Sequence, residues 1–199
     1  MAETNLKNIR KTQMGANKPY YAKVNAETDD ALPTYGTPSA FSEFIKVTEN
    51  LQKAETQFYS DDSMSENVSE FKYCELTYDN KGLSDSVIGD IYGVNVDSST
   101  GEITYGGDDT PPYIGFGFYR TIMDKGVKYY EGIFYPKVKA SLVGASYETR
   151  GENVNLSGDS TSMIAYQCKD SKKTWKNTEM FSTAADAESW IKTKFGVTE

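Results

Sequence analysis

Residues 129–156, YYEGIFYPKVKASLVGASYETRGENVNL, decide the fold class. Aromatic and β-branched side chains crowd its first half, and such residues favour a pleated, half-buried surface. Strands are therefore expected over Val127–Tyr135, near Val138–Val143 and near Asn153–Leu156. Immediately upstream, Tyr113–Thr121 forms an equally aromatic strand joined to it by Asp124-Lys-Gly126. Downstream, Met163–Cys168 adds another. Several short strands separated by turn residues describe an antiparallel β domain.

The rest of the chain fits that frame. Phe71–Tyr78 alternates as a strand, and Asp79-Asn-Lys-Gly82 closes it with turn chemistry. Ser84 is an N-cap candidate for a short helix whose Val87, Ile88, Ile91 and Tyr92 recur at helical spacing before Gly93 ends it. Gly89 weakens this helix by roughly 1 kcal/mol against Ala, so packing must hold it. Val94–Tyr105 reads as a hairpin turning at Asp97–Gly101. Thr183, with Asp186 three residues on, opens a second helix that places Ala187, Trp190, Ile191 and Phe195 on one face. Toward the N-terminus, Tyr20–Val24 begins the first strand. Ile45, Val47, Glu49 and Leu51, then Thr56 and Phe58, suggest a hairpin or strand pair running into a polar loop, Ser60–Glu70. That loop carries Asp61, Asp62, Glu66 and Glu70, and a long acidic loop in a compact domain is either mobile or has a binding role. The fold expected is mainly β, an antiparallel sandwich or barrel-like domain over residues 19–199 with one or two flanking helices. Residues 1–18 form a polar arm that orders against a partner.

Composition narrows the function classes. The 199 residues are enough to bury a substantial core. The net charge of −8 argues against affinity for nucleic acid, which requires clustered cations to displace counterions from phosphates. Fifteen tyrosines, apolar in body and polar at the tip, suit surfaces that become interfaces. Cys74 and Cys168 sit in strand-like runs without CxxC spacing and read as reduced core residues. No run approaches the roughly 20 apolar residues of a membrane span, and the N-terminus lacks a secretory signal, so the expected location is the cytosol.

Histidine is absent, which removes the usual general base and imidazole ligand. A two-carboxylate hydrolase remains conceivable from the abundant acids, although these cluster in turns. Asp61-Asp62 and Gly107-Asp108-Asp109 lack the spacing of a calcium loop and read as acidic turns. Gly115-Phe-Gly117 is followed by neither Gly-Lys-Ser/Thr nor a helix, so its glycines permit close approach within a strand. Lysines 169, 172, 173 and 176 form a basic cluster. They are either a solvated hairpin tip or a salt-bridging surface toward a neighbour's acidic loop, and head-to-tail contacts of the latter kind build rings or filaments.

The order of these pieces resembles a known family. Lys18-Pro-Tyr-Tyr-Ala-Lys-Val24, Tyr35-Gly-Thr-Pro38, Phe58-Tyr-Ser-Asp-Asp62, Gly82–Gly93, Tyr113–Arg120 and above all residues 129–156 resemble segments of the major tail proteins of long, non-contractile phage tails of Gram-positive bacteria. The resemblance implies a tail-tube fold and a structural role without catalysis or cofactor. It implies hexameric rings that stack along a tape-measure protein and end at tail terminator and baseplate or distal tail proteins. Viral DNA would pass through the lumen without specific binding. Such a subunit is made in the host cytoplasm and ends in the virion tail, with no membrane association; a headless, phage-derived bacteriocin would use it in the same way. On this reading Asp61, Asp62, Glu66, Glu70, Lys172 and Lys173 are expected at subunit or ring contacts, and Glu49 and Glu55 on the lumen wall. The alternative is a non-enzymatic β-sandwich module for host-surface carbohydrate, with surface tyrosines as stacking platforms.

Overall fold

The computed structural model describes residue 6 and residues 9–60, 63–142 and 158–197, without the side chains of residues 56–60 and 63–67. In chain order the elements are β1 (Thr12–Ala26), β2 (Thr34–Tyr35), β3 (Ser39–Ala40), β4 (Phe44–Ser60), β5 (Ser63–Asn80), α1 (Asp85–Tyr92), β6 (Asn95–Val96), β7 (Ile103–Thr104), β8 (Tyr113–Asp124), β9 (Val127–Ala140), β10 (Asp159–Ala165), β11 (Asn177–Phe181) and α2 (Ala184–Lys194). Nine strands form one antiparallel sheet in the order β2-β1-β8-β9-β10-β5-β4, with β3 added beside β1 and β11 beside β9. The mainly β, antiparallel architecture with two helices is as the sequence predicts.

The sheet curls until β1 and β4, distant in strand order, meet across a narrow slot. Its concave face holds the main core: Ile114, Phe116 and Phe118 of β8, Ile133, Tyr135 and Val138 of β9, Leu76 and Tyr78 of β5, and Met163 of β10. Phe41 closes this core edge-on against Tyr21 and Tyr78, together with Val87 and Ile91 of α1. The convex face of β1, β8 and β9 carries Ala22, Tyr119 and Phe134, on which α2 lays Ala187 and Ile191, with Phe195 just beyond its end. β8 and β9 are thus buried on both faces, which explains their nearly unbroken aromatic character.

Gly115, Gly117 and Gly132 lie on the face that receives α2. A Cβ would stand 2.7 Å from the Tyr35 ring at 115, 2.9 Å from Ile191 at 117 and 2.7 Å from Trp190 at 132. The Gly-Phe-Gly pattern is therefore a space requirement of helix docking. Thr183 caps α2 by accepting the Asp186 N–H, and Gly93 ends α1 with a positive φ of 71°. Trp190 is half-buried over Gly132 and 5.8 Å from Phe181. Trp190→Ala should therefore lower stability by roughly 2 kcal/mol, about half the loss from a fully buried tryptophan. Urea denaturation checks this, and an unchanged midpoint would mean that Ala187 and Ile191 alone secure the helix.

Several strand boundaries differ from expectation, among them β10, which runs Asp159–Ala165 and not Met163–Cys168. β9 runs unbroken from Val127 to Ala140, because Pro136 and Lys137 together oppose Gly115 at a bulge. A bulge is where a residue without an N–H fits in a sheet. β1 begins at Thr12, not Tyr20, so Thr12–Lys18 belong to the sheet and not to an arm; Lys18 and Pro19 form a second bulge opposite Phe118. β4 is one 17-residue strand whose hairpin partner is β5, not a strand pair in itself. β11 was not foreseen, since Asn177–Phe181 has no strand alternation and is recruited by the free flank of β9. The expected strand Asn153–Leu156 lies outside the described residues.

Candidate functional site

The expected loop Ser60–Glu70 is largely strand. β5 starts at Ser63, and its register with β4 runs continuously to Ser60 opposite Ser63. The ladder depends on backbone groups, which pair whether or not the side chains are polar, so a search for apolar alternation passes over it. β5 pairs with β10 only from Cys74 to Asn80, so, among the described residues, 53–60 and 63–70 have no strand partner but each other and project from the body as a two-stranded ribbon. Glu70, opposite Ala54, and Glu55, opposite Ser69, are exposed on it; Glu66 stands opposite Phe58. Asp61 and Asp62 lie outside the described residues. Val68 is 48% exposed on the same ribbon. Among the described residues no strand pairs with the outer edge of β4, leaving a row of backbone donors and acceptors open.

Glu49 has a local role that sequence reading did not assign. It faces the concave side, where it accepts a hydrogen bond from the buried Tyr135 hydroxyl and pairs with Lys176 at 2.5 Å. Glu49 and Glu55 thus part company: one is tied into its own subunit and the other is exposed. In the basic cluster, Lys169 pairs with Asp29 and Lys176 with Glu49 inside the chain. Lys172 and Lys173 are exposed and enter no ion pair among the described residues.

Glu49 and Glu131 line one open cleft of about 600 Å³ together with Lys11, Arg120, Trp175 and Lys176. Glu131 is 2% exposed; Lys11 and Arg120 both pair with it, the latter at 2.6 Å. Burial opposes its ionisation, but those two cations hold its carboxyl below the ordinary range. Glu131 is therefore held ionised, with one oxygen taken by Lys11 and the other by Arg120 of its own chain. The contact also ties Lys11, at the base of the N-terminal segment, to the mouth of the curled sheet.

A second node fastens the bulge of β1 to α2. Glu188 receives hydrogen bonds from Lys18 and from the Tyr20 hydroxyl at 2.7 Å, and pairs with Lys192 one turn on at 3.0 Å. Burial would raise the Glu188 carboxyl, yet these donors bring it down to about 2. A depressed folded value means stabilisation present above the ordinary 4.5 and lost as pH falls toward 2. The stability difference between wild type and Glu188→Gln should therefore shrink between pH 4.5 and 2, as read by urea melts across that window. A constant difference would disprove the linkage.

The convex face divides in two. α2, Phe195 and Tyr35 cover it over β1, β8 and β9 as far as Phe134 and Pro136, and Glu27 pairs with Lys137; beyond that, over Lys139, β10 and β5, no described helix or strand lies on it. There Tyr113, 39% exposed, meets Tyr166 edge-on at 5.9 Å, and Lys137 and Lys139 lie 4.8 and 5.5 Å from the Tyr113 ring centre. Tyr73 follows on β5, with Lys72 beside it. Both cysteines are free and buried, which pushes their thiols up to about 11 for Cys74 and about 12 for Cys168, so both are protonated at neutral pH. Among the described residues no group of three or more acidic or cysteine side chains is arranged to hold a metal, and no helix is long and apolar enough to cross a membrane. Asp109 instead accepts the Gly106 N–H at 2.6 Å, as a turn residue does.

A scan of protein-family models finds none that matches this chain, and a search of curated proteins finds no match either.

Proposed function

We propose that this protein is a structural subunit that polymerises as stacked hexameric rings into the DNA-conducting tube of a phage tail. The observation that carries the reading is the projecting β4–β5 ribbon. A two-stranded ribbon is marginal in water by itself, and this one continues well past the last strand that supports it, so it has reason to exist only against another molecule. The open edge of β4 supports the same reading, since a long unpaired edge in a monomer invites aggregation unless assembly uses it. The order of aromatic and glycine-bearing segments resembling major tail proteins supplies the identity of the assembly. Partners follow from that identity: further copies of the chain, a tape-measure protein, terminator and distal tail proteins, and DNA that passes without specific contact. Glu55 is the proposed lumen residue that the structure leaves exposed.

The alternative, a carbohydrate-binding module, would use the exposed tyrosines as stacking platforms. Tyr113 suits this poorly, because Lys137 and Lys139 already lie over its ring where a sugar would stack. Negative-stain electron microscopy of concentrated protein tests the proposal. Hollow tubes of uniform diameter are expected; isolated globular particles up to the solubility limit, combined with binding on a glycan array, would overturn it in favour of the alternative.

A further inference from the structure

We propose that the uncovered aromatic patch of Tyr73, Tyr113 and Tyr166, rimmed by Lys72 and Lys139, is the docking site for the acid-rich β4–β5 ribbon of a second copy of this chain. The inference rests on the reading of the protein as a self-assembling subunit and names the surfaces that meet.

The patch is built for an interface. Ala165 pairs with Cys74, so Tyr166, just past the end of β10, continues toward Tyr73 on β5; Tyr166 also packs edge-on against Tyr113 of β8. Tyrosine offers large contact area with few rotatable bonds and is enriched where proteins meet. Charge at the rim is cationic on balance. Lys137 is engaged by Glu27, the nearby Glu75 keeps its negative charge while accepting hydrogen bonds from the Asn50 and Gln52 amides, and the two lysines Lys72 and Lys139 enter no ion pair among the described residues.

The ribbon has the complementary chemistry. Residues 53–70 contain five carboxylates and one lysine, alongside Phe58, Tyr59, Met64 and Val68. It cannot serve its own patch. β5 runs as one strand from Ser63 through Tyr73, so at ~3.3 Å per residue the ribbon's end lies about 33 Å away from Tyr73. The contact is therefore made between copies. It joins two different surfaces, so each copy presents a free ribbon and a free patch, and the series has no built-in end.

Charge exchange tests this. Four proteins are compared by sedimentation for the concentration at which polymer appears: wild type, Lys72→Glu with Lys139→Glu, Glu66→Lys with Glu70→Lys, and all four changes together. Circular dichroism verifies that each is folded. Each pair alone should raise the threshold at least about tenfold, because like charges then face each other across the contact. The fourfold variant should return to within about threefold of wild type, since the attraction is restored with its signs reversed. Wild-type tubes together with an unaffected lysine pair, or a fourfold variant no better than the pairs, would overturn the contact and leave the tube reading intact. Wild-type protein that never self-associates would overturn both.

Discussion

Replacing residues 54–70 with a two-residue Asn-Gly turn between Lys53 and Phe71, which stand opposite each other in the ladder, is expected to leave a folded monomer and to abolish polymerisation. Among the described residues the removed ones pair only with one another, and those whose exposure is described, from Ala54 to Glu55 and from Val68 to Glu70, are exposed. Their removal therefore takes almost nothing from the core around Phe116 and Tyr135, and the melting temperature should move by no more than about 3 °C. Asn-Gly suits the tight turn that would close the shortened hairpin. Sedimentation velocity and thermal melts read the two outcomes separately. A shortened protein that polymerises like wild type would remove the ribbon from assembly, and one that loses its β circular dichroism would make the ribbon part of the fold.

The largest effect on stability is expected at Phe116. Its side chain is fully buried, and its ring lies within 5.4 to 6.1 Å of the rings of Phe41, Phe118, Tyr78 and Tyr135, so truncation opens a cavity at the point where β8, β9 and β5 share the core. Phe116→Ala should cost roughly 3 to 5 kcal/mol. That is a large part of the 5–15 kcal/mol typical of a whole domain and corresponds to a drop in melting temperature on the order of 10 °C. Val127→Ala, at a side chain 52% exposed, is the matched control and should stay within about 0.5 kcal/mol. Equal effects at the two positions would mean that the concave face is not the principal core.

Both helices were legible because their signals are local. The Thr183–Asp186 cap and the spacing of Ala187, Ile191 and Phe195 need no knowledge of the sheet on which they pack. β8 and β9 were legible because strands buried on both faces must be apolar along their length. The ribbon was not. Its residues are polar on both faces, so periodicity was silent, and what marks 63–70 as strand is pairing with β4 across a hairpin. Glu66 and Glu70, expected on an acidic loop, lie on a segment that is a ladder and not a loop. The partners of Glu49, Glu131 and Glu188 were equally hidden, because Tyr135, Lys176, Lys11, Arg120, Lys18 and Tyr20 approach them from other elements.

Local chemistry sufficed for an antiparallel β domain with two amphipathic helices, for reduced cysteines and for glycines that make room within a strand. Each follows from side-chain volume, backbone preference or periodicity over a few residues. Strand order, the curl that brings β1 to β4, the bulges that absorb Pro19 and Pro136, and the pairing of each buried carboxylate were decided only by tertiary packing. The physical reason is range. Which strand lies beside β9, and which cation reaches Glu131, depends on how the whole aromatic core closes, and residues as far apart as Lys11 and Glu131 meet only after it has.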